Sequence, residues 1–227
     1  FRSAPEYDVE NLETYVNNIL KLESVASKDW LTNKVDRSVT GRIARQQTQG
    51  EIQLPLSDSG AIALDYRGFA GMATSLGHAP QVAMINPAAG SVMAIAEALT
   101  NIVFAPLTNG LQSVSLSANW MWPCRNPGED ARLYKAVEAC SDFSCDLGIN
   151  IPTGKDSLSM TQKYDDDKVF SPGTVIISAA AEVKNVRKIA SPVLAYIKGT
   201  YLYYIDFSLD TFKLGGSAFA QTLGKIG

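Results

Sequence analysis

A single histidine, His78, and only three cysteines occur among the 227 residues, and this scarcity limits the chemistry open to the chain. Ser/His/Asp or Cys/His catalysis would depend wholly on His78, which stands in a glycine-containing turn, LGHAP, and is predicted to lie in a loop or at a strand end. Zinc sites need more ligands at closer spacing than Cys124, Cys140 and Cys145 provide. We expect Cys140 and Cys145 to share one amphipathic helix and all three thiols to be reduced.

Long apolar runs and an excess of basic charge are also missing. No stretch reaches the roughly 20 apolar residues of a membrane span. The first residues, FRSAPEYDVENLE, lack the basic start and apolar core of a signal peptide. Twenty basic and 23 acidic residues give a net charge of −3, which argues against a general nucleic-acid-binding face. The missing initiator methionine predicts a piece of a longer chain, and the expected location is the cytoplasm.

What is present is an alternation of strand-like and helix-like segments, which predicts an α/β or α+β sandwich. Apolar residues at helical spacing predict helices over 8–23, 88–105 and 128–147, and another that begins at Leu214. Residues 34–60 form a polar stretch that is long for a structureless connection, so it is expected to be functional or disordered. Alternation and turn signals predict strands over 61–66, 71–76, 111–121, 149–151, 173–183 and 201–207.

Two polar residues stand in the most apolar of these helices. The segment 88–105, AAGSVMAIAEALTNIVFA, is apolar around most of its circumference, which predicts a helix packed on several sides. Glu97 and Asn101 interrupt it at a spacing of i, i+4, so their side chains share one face. A hard cation with oxygen ligands is a natural partner for such a pair. The alternative is structural: Glu97 pairs with an Arg or Lys of a neighbouring strand, and Asn101 bonds a backbone group.

The segment GKDS at 154–157 invites comparison with a phosphate loop. It lacks both the earlier glycine and the Ser or Thr after the lysine that the phosphate-loop pattern requires. A glycine, a lysine, a carboxylate and a hydroxyl in a tight turn can still bind a phosphate or a ribose, and a plain polar loop is the alternative. Lys155, Asp156 and Ser157 are therefore predicted substrate or phosphate contacts. Arg37, in the separate segment DRSVTGRIARQQ, is predicted for the same role.

Three further features suit ligand binding but have equally simple structural explanations. Asp58 in PLSDSG comes directly before a predicted strand, where it can face a ligand or close a turn. Two glycines in LGGSAFAQ, at 214–221, open a predicted helix and expose backbone N–H groups to an anion. Arg37, Arg42 and Arg45 form a local basic cluster that is either a solvated loop or an anion site.

Together these segments closely resemble the large, single-chain phosphoribosylformylglycinamidine synthases, the glutamine-dependent ligases of purine biosynthesis. The resemblance runs from about Val25 to the last residue. The motifs that carry it occur in this order: DRSVTGRIARQQ (36–47), PLSDSGAIAL (55–64), AEALTNIVF (96–104), LSANWMW (116–122), PGEDARLY (127–134), GKDSLSM (154–160) and LGGSAFAQ (214–221).

The resemblance implies a synthetase region made of two related halves. Each half has an N-terminal α/β domain like that of aminoimidazole ribonucleotide synthetase, followed by a C-terminal domain. The expected fold is a mixed sheet with helices packed on one face. The chain then comprises a leading helix or linker at 1–24, the N-terminal-type domain of the second half at 25–195 and the start of the following domain at 196–227.

The resemblance also implies a reaction and a set of ligands. ATP phosphorylates the amide oxygen of formylglycinamide ribonucleotide, and ammonia from a glutaminase elsewhere in the full chain displaces the phosphate. The positions that match the family's motif imply Asp58, Glu97 and Asn101 as Mg²⁺ ligands. Lys28 and Ser57 match the family's contacts to the nucleotide, ATP or ADP.

Some of the family's machinery has no counterpart here. The family's histidine-bearing segment and its glutaminase Cys/His/Glu set are missing, so no catalytic residue is predicted and this piece alone is expected to be inactive. Its nucleotide site belongs either to the ligase reaction or to a structural nucleotide that holds domains together without turnover. In the family the N-terminal domains of the two halves pair their sheets, so the resemblance implies that this piece, without that partner, self-associates. The exposed apolar patch is then expected at 111–121, with Trp120 and Trp122.

Overall fold

The computed structural model describes residues 8–35, 37–38, 41–207 and 215–225. Asp36 of the DRSVTGRIARQQ motif, the predicted helix start at Leu214 and the last residue, Gly227, lie outside the described residues. The chain divides into two compact units, one formed by residues 1–28 with 193–227 and the other by residues 29–192. No helix in the described ranges has the length and apolar character needed to cross a membrane.

The first unit contains two short helices. Helix α1 spans Leu12–Leu20 and follows one 3-10 turn, Val9–Asn11, that is capped by Asp8. The Tyr15 ring of α1 packs edge-on against Phe219 of the second helix, with ring centroids 5.3 Å apart. That helix spans only Ala218–Thr222, so the helix predicted to begin at Leu214 is present but shorter than expected within the described residues. The predicted strand at 201–207 is also wrong, because no described strand pairs with this extended, exposed segment.

The second unit is a six-stranded mixed sheet with helices on one face. The strand order is β1-β4-β5-β10-β6-β7, in which β6 and β7 run parallel and the other neighbours antiparallel. The strands are β1 Ile43–Arg45, β2 Thr48–Gln49, β3 Leu54–Pro55, β4 Ser59–Ala63, β5 Gly71–His78, β6 Ser115–Met121, β7 Asn150–Ser157, β8 Thr161–Tyr164, β9 Asp167–Phe170 and β10 Thr174–Val183. The helices are α2 Pro80–Ile85, α3 Pro87–Ile102 and α4 Glu129–Leu147, and the Ala218–Thr222 helix of the first unit is α5.

The core lies between the sheet and helices α3 and α4. Strand β5 alternates buried and exposed residues along its whole length, and its buried face meets α3. Gly77 permits this close approach, because a Cβ there would lie 2.1 Å from the Ala94 carbonyl oxygen. Ile95, Leu116 and Ile177 are almost completely buried in this layer. The predicted fold, a mixed sheet with helices on one face, is therefore confirmed.

Local chemistry fixes the ends of the two long helices. The Asn86 side chain accepts a hydrogen bond from the backbone N–H of Ala89, and Pro87 occupies the first turn of α3, where no backbone donor is needed. Helix α4 ends at Gly148, whose φ of +67° is costly for residues with a side chain. The α4 crossover joins parallel strands β6 and β7, and it carries both Cys140 and Cys145 as predicted.

Several predictions need correction. GKDS does not form a tight turn, because hydrogen bonding to β6 extends it as part of β7. The 34–60 stretch contains the short strands β1 to β3 and the first two residues of β4, so it is not a structureless connection. Strand β6 begins only at Ser115, after a 3-10 turn. Helix α3 is exposed on one side, where Met93 is 50% exposed.

Candidate functional site

Side chains from α3 make hydrogen bonds to the part of β5 that β4 leaves unpaired. Strand β4 begins at Ser59, which pairs with Ser75, so β5 extends beyond it toward His78. Along this extension the Asn101 amide donates to the Leu76 carbonyl at 3.0 Å, and the Glu97 carboxylate accepts from the His78 backbone N–H at 2.6 Å. Both side chains therefore face the same edge of the sheet, one helical turn apart.

These contacts match the structural alternative for Asn101 but not for Glu97. Asn101 bonds a backbone group, as that alternative predicts. Glu97 has no Arg or Lys partner among the described residues; its neighbours are the His78 backbone and the His78 imidazole, whose Nδ1 lies 3.8 Å from Glu97 Oε2. The Asn101 Oδ1 and Glu97 Oε1 atoms accept no hydrogen bond in the described part of the chain, so both oxygens are available to a cation.

A cavity of about 160 Å³ lies at this edge. Its walls include Asp58, Ser57, Asn101 and segment 190–192, but not Glu97. The carboxylate of Asp58 is exposed and makes no hydrogen bond or ion pair within the described ranges. Two of the three predicted metal ligands thus line one cavity, and the third bonds the adjoining end of β5.

Arg45 adds a positive charge to the same cavity. Its guanidinium donates to the carbonyls of Ile189 and Ala190 at 2.8 and 3.1 Å, and to the Gln49 side chain at 2.8 Å. Its Nε is buried and has no hydrogen-bond partner among the described residues, and burial lowers the pKa of the guanidinium. No carboxylate of the described residues lies within ion-pair distance, so Arg45 and Asp58 are opposite charges that share a cavity without pairing.

The other predicted arginines lie away from the cavity. Arg37 donates to the Gln53 side chain, and Arg42 donates to the Ala63 carbonyl while its guanidinium stacks over Tyr66. The basic cluster seen in the sequence is therefore spread over separate contacts. Arg45 was named there only as part of that cluster; its placement depends on carbonyls 144 and 145 residues further along the chain, for which local sequence carries no signal.

The donor set of this edge fits Mg²⁺. Magnesium favours oxygen ligands and is commonly bound by one or two carboxylates plus phosphate oxygens and water. Asp58, Glu97 and Asn101 offer two carboxylates and an amide oxygen. No group of three or more His, Cys, Asp or Glu residues that could hold a metal occurs among the described residues. The proposed set therefore depends on its amide and on oxygen atoms from a ligand, and magnesium binding stays a prediction.

Strand alternation separates the residues of GKDS. Lys155 pairs in register with Asn119 and donates to the Ser157 hydroxyl, so Lys155 and Ser157 share the sheet face without helices. Asp156 pairs with Trp120 and points to the opposite face. There it lies near Cys124, whose thiol pKa is raised by burial and then by the charges of nearby Asp130, Glu129 and Asp156.

Two predicted features lie in the first unit. The Lys28 ammonium donates to the Ala26 carbonyl at 2.9 Å and lines an open cavity of about 470 Å³ with Glu23 and Gln221. In LGGSAFAQ, Ser217 caps α5 by accepting from the Ala220 N–H at 3.1 Å. Because α5 has only five residues, its dipole is weak, and anion binding at its start stays a prediction.

The sheet face opposite α3 carries an apolar patch. Ile43, Ile62 and Met72 lie side by side across β1, β4 and β5, and each is about 40% exposed. The predicted patch at Trp120 and Trp122 is wrong. Trp122 is 1% exposed and donates to Glu129. Trp120 is half-buried against the core on the helix-covered side.

Known proteins resemble this chain over most of its length. A family model described as the FGAR-AT PurM_N-like domain matches residues 27–182. The human phosphoribosylformylglycinamidine synthase is 41% identical over 213 residues, which cover 93% of this chain and 16% of the human protein. A probable phosphoribosylformylglycinamidine synthase of Caenorhabditis elegans is 42% identical, with the same coverage of both chains. The chain spans about a sixth of the length of these curated relatives.

Solved structures share the fold. The structure of PurLQS from Thermotoga maritima matches with a TM-score of 0.54 at 16% identity, over 74% of this chain and 25% of that chain. T. maritima PurL complexed with ADP matches with a TM-score of 0.52, again at 16% identity and with the same coverage. At this identity the comparison establishes a common architecture.

Proposed function

The chain belongs to the FGAR-AT PurM_N-like domain family, and from this premise we propose that it supplies part of a magnesium–nucleotide site in a phosphoribosylformylglycinamidine synthase. In that enzyme ATP would phosphorylate the amide oxygen of formylglycinamide ribonucleotide, and ammonia derived from glutamine would displace the phosphate. The names and identities of the curated relatives support this assignment. The glutaminase that releases the ammonia would lie in another part of a longer protein, in the cytoplasm. The domain boundaries after residues 24 and 195 are part of the same proposal.

The unpaired charges of one cavity carry the proposal. A carboxylate and a guanidinium that lack any ion-pair partner normally pair when they share a cavity, because each gains from the other's charge. Asp58 and Arg45 do not pair within the described residues, and Asn101 lines the same cavity. A magnesium phosphate matches this arrangement, since the cation suits Asp58 and Asn101 and the phosphate oxygens suit Arg45. Glu97 would join as a third ligand through its Oε1.

The nucleotide contacts predicted from the family are part of this proposal. The Ser57 backbone N–H already donates to the Gln47 carbonyl at 3.1 Å, so its hydroxyl is the group left for a nucleotide. Lys28, which belongs to the first unit, is proposed as a nucleotide contact on the family resemblance alone. Lys155 and Ser157, on the sheet face without helices, are proposed to meet the substrate. Arg37 and Asp156 were predicted for the same role, but their contacts point elsewhere.

Within this chain alone the nucleotide is proposed to be structural. Among the residues that line the cavity, Asp58 is the sole carboxylate and no histidine or cysteine is present. A carboxylate that binds a metal is poorly available as a general base. We therefore expect the chain to bind nucleotide and to show no ATP hydrolysis that depends on formylglycinamide ribonucleotide and ammonia. Turnover in that assay would contradict the structural role.

Binding of MgADP tests the proposal, since a protein of the same fold has been solved with ADP. Isothermal titration should detect MgADP binding to the chain and at least about tenfold weaker binding to Asp58→Asn, because the metal loses a charged ligand. Asp142→Asn is the matched control: it removes the same charge from an exposed position on α4 and should bind as the unmodified chain does. Equal affinity of all three proteins for MgADP would refute the site.

A further inference from the structure

The size of the cavity limits which part of a nucleotide can enter it. Sites for drug-sized ligands usually enclose about 300–1,000 Å³. The cavity at Asp58 encloses about 160 Å³. That volume suits a metal ion and phosphate groups, whereas a base and ribose must lie at the cavity mouth, against whatever surface the chain offers there.

Phe104 provides that surface. It lies two residues beyond the end of α3 and is the one aromatic side chain among the residues that line the cavity. It is 61% exposed, so the ring does not serve as a core residue. Large exposed aromatic rings beside a charged cavity are suited to stacking on a ligand, because burial of the ring then occurs only on binding.

The backbone that carries this ring is held on both sides. The Phe104 carbonyl accepts from the Ala190 N–H at 3.0 Å, and the next residue, Ala105, is buried and donates to the Ile102 carbonyl at 3.0 Å. Ala190 itself lines the cavity, and its carbonyl accepts from Arg45. The ring is therefore exposed on a fixed support that is shared with the cavity wall, which lowers the ordering cost of binding.

We propose that Phe104 stacks on the base of the nucleotide whose magnesium and phosphate groups occupy the cavity at Asp58, Asn101 and Arg45. This proposal rests on the proposed function and adds the group that recognises the nucleoside. Stacking on a single aromatic ring tolerates different bases, since every base has a π-face. Phe104 is accordingly a binding residue that separates nucleotides from simple polyphosphates.

Two ligands distinguish stacking from phosphate binding. With Phe104→Ala, affinity for MgADP should fall at least about tenfold, equivalent to about 1.4 kcal/mol, while affinity for magnesium pyrophosphate should not change. Phe104→Trp should retain MgADP binding, and its added tryptophan emission should be quenched by MgADP but not by magnesium pyrophosphate. The neighbouring Val103, 64% exposed and outside the cavity lining, gives the control Val103→Ala, which should bind both ligands normally.

The remaining outcomes contradict either the stacking proposal or the proposed function. Unchanged MgADP affinity in Phe104→Ala would overturn the stacking role, and so would an equal loss for both ligands, which would place Phe104 at the phosphates. If the unmodified chain binds magnesium pyrophosphate as tightly as MgADP, the base contributes no affinity. The stacking proposal then fails, whereas the proposed phosphate site is supported. If it binds neither ligand, the proposed function itself fails. Circular dichroism of each variant controls for folding, and Phe104→Trp keeps the test informative if Phe104→Ala is unfolded.

Discussion

The Glu97 carboxylate accepts a 2.6 Å hydrogen bond from the backbone N–H of His78, at the last residue of β5. This bond places a carboxylate of α3 where a neighbouring strand would otherwise supply a carbonyl. One oxygen of Glu97 is used for the fold, and the other accepts nothing in the described residues. The same side chain can thus serve both the sheet edge and a metal ion.

Substitutions of Glu97 can separate these two roles. Glu97→Gln keeps an oxygen for the His78 N–H, so its free energy of unfolding should stay within about 0.5 kcal/mol of the unmodified value. Glu97→Ala leaves that N–H to water, so its free energy of unfolding should fall by about 1 kcal/mol. The fall is modest because the Glu97 side chain is about half exposed. Both variants should weaken Mg²⁺-dependent ADP binding. Urea denaturation and titration calorimetry measure the two effects, and full MgADP affinity in Glu97→Gln would remove Glu97 from the metal site.

The contact between β5 and α3 depends on a missing side chain at Gly77. A Cβ at this position would lie 2.1 Å from the Ala94 carbonyl oxygen and 2.5 Å from the Ala98 nitrogen. These are backbone atoms of a helix and cannot rotate away. We expect Gly77→Ala to lower the free energy of unfolding by about 3 kcal/mol and to weaken MgADP binding, because it displaces the helix that carries Asn101.

Gly60 on the neighbouring strand provides the matched control. A Cβ at Gly60 would lie 3.7 Å from the Thr74 hydroxyl, an ordinary contact. Gly60→Ala should therefore change stability by less than about 1 kcal/mol. Urea denaturation of both variants checks the comparison, and similar midpoints for the two would show that α3 adjusts its packing freely.

Strongly patterned segments could be predicted from sequence, and weakly patterned ones could not. Helix α3 and strand β10 have the expected apolar spacing, and both were found close to their predicted bounds. Strand β7 is a polar edge strand whose residues are mostly exposed, so no period of two marks GKDS as a strand. Its existence follows from pairing with β6, which is a tertiary property.

The residues of the site also differ in how well local sequence predicts them. Asp58 and Asn101 were chosen from local motifs, and both line the cavity. Arg45 was not chosen above Arg37, because its direction is set by carbonyls of Ile189 and Ala190 that lie far along the chain. Phe104 lies in the predicted helix 88–105 and was not singled out, since exposure of one residue near a helix end is not readable from apolar spacing alone.

The cysteines should differ sharply in reactivity. Burial raises the pKa of the Cys140 thiol to about 11, so almost no thiolate is present near pH 8. Cys145, on the exposed side of α4, is accessible to solvent. A thiol-specific disulfide reagent should therefore modify Cys145 first, and Cys140 only when the chain unfolds. Mass spectrometry of partly modified protein identifies the site, with Cys145→Ser expected to lose the fastest phase. Early modification of Cys140 would contradict its burial.

The apolar patch of Ile43, Ile62 and Met72 is proposed as the surface on which a second copy of this chain packs. Stacked sheets pack about 10 Å apart through such side chains, and a stable interface buries at least about 1,000 Å². A two-fold pairing would let the same row face itself. Light scattering at micromolar concentration should then report a dimer.

Placing a charge in that row should dissociate the dimer. Met72→Lys would bury an unpaired ammonium between the two sheets, which is costly enough to favour monomers. Val137→Lys adds the same charge at a position of similar exposure on α4, at the other side of the sheet, and should leave the dimer intact. A dimer that survives Met72→Lys but is lost in Val137→Lys would move the interface to the helices. A monomer of the unmodified chain at high concentration would end the proposal, because an exposed row that two copies do not bury supplies no association energy.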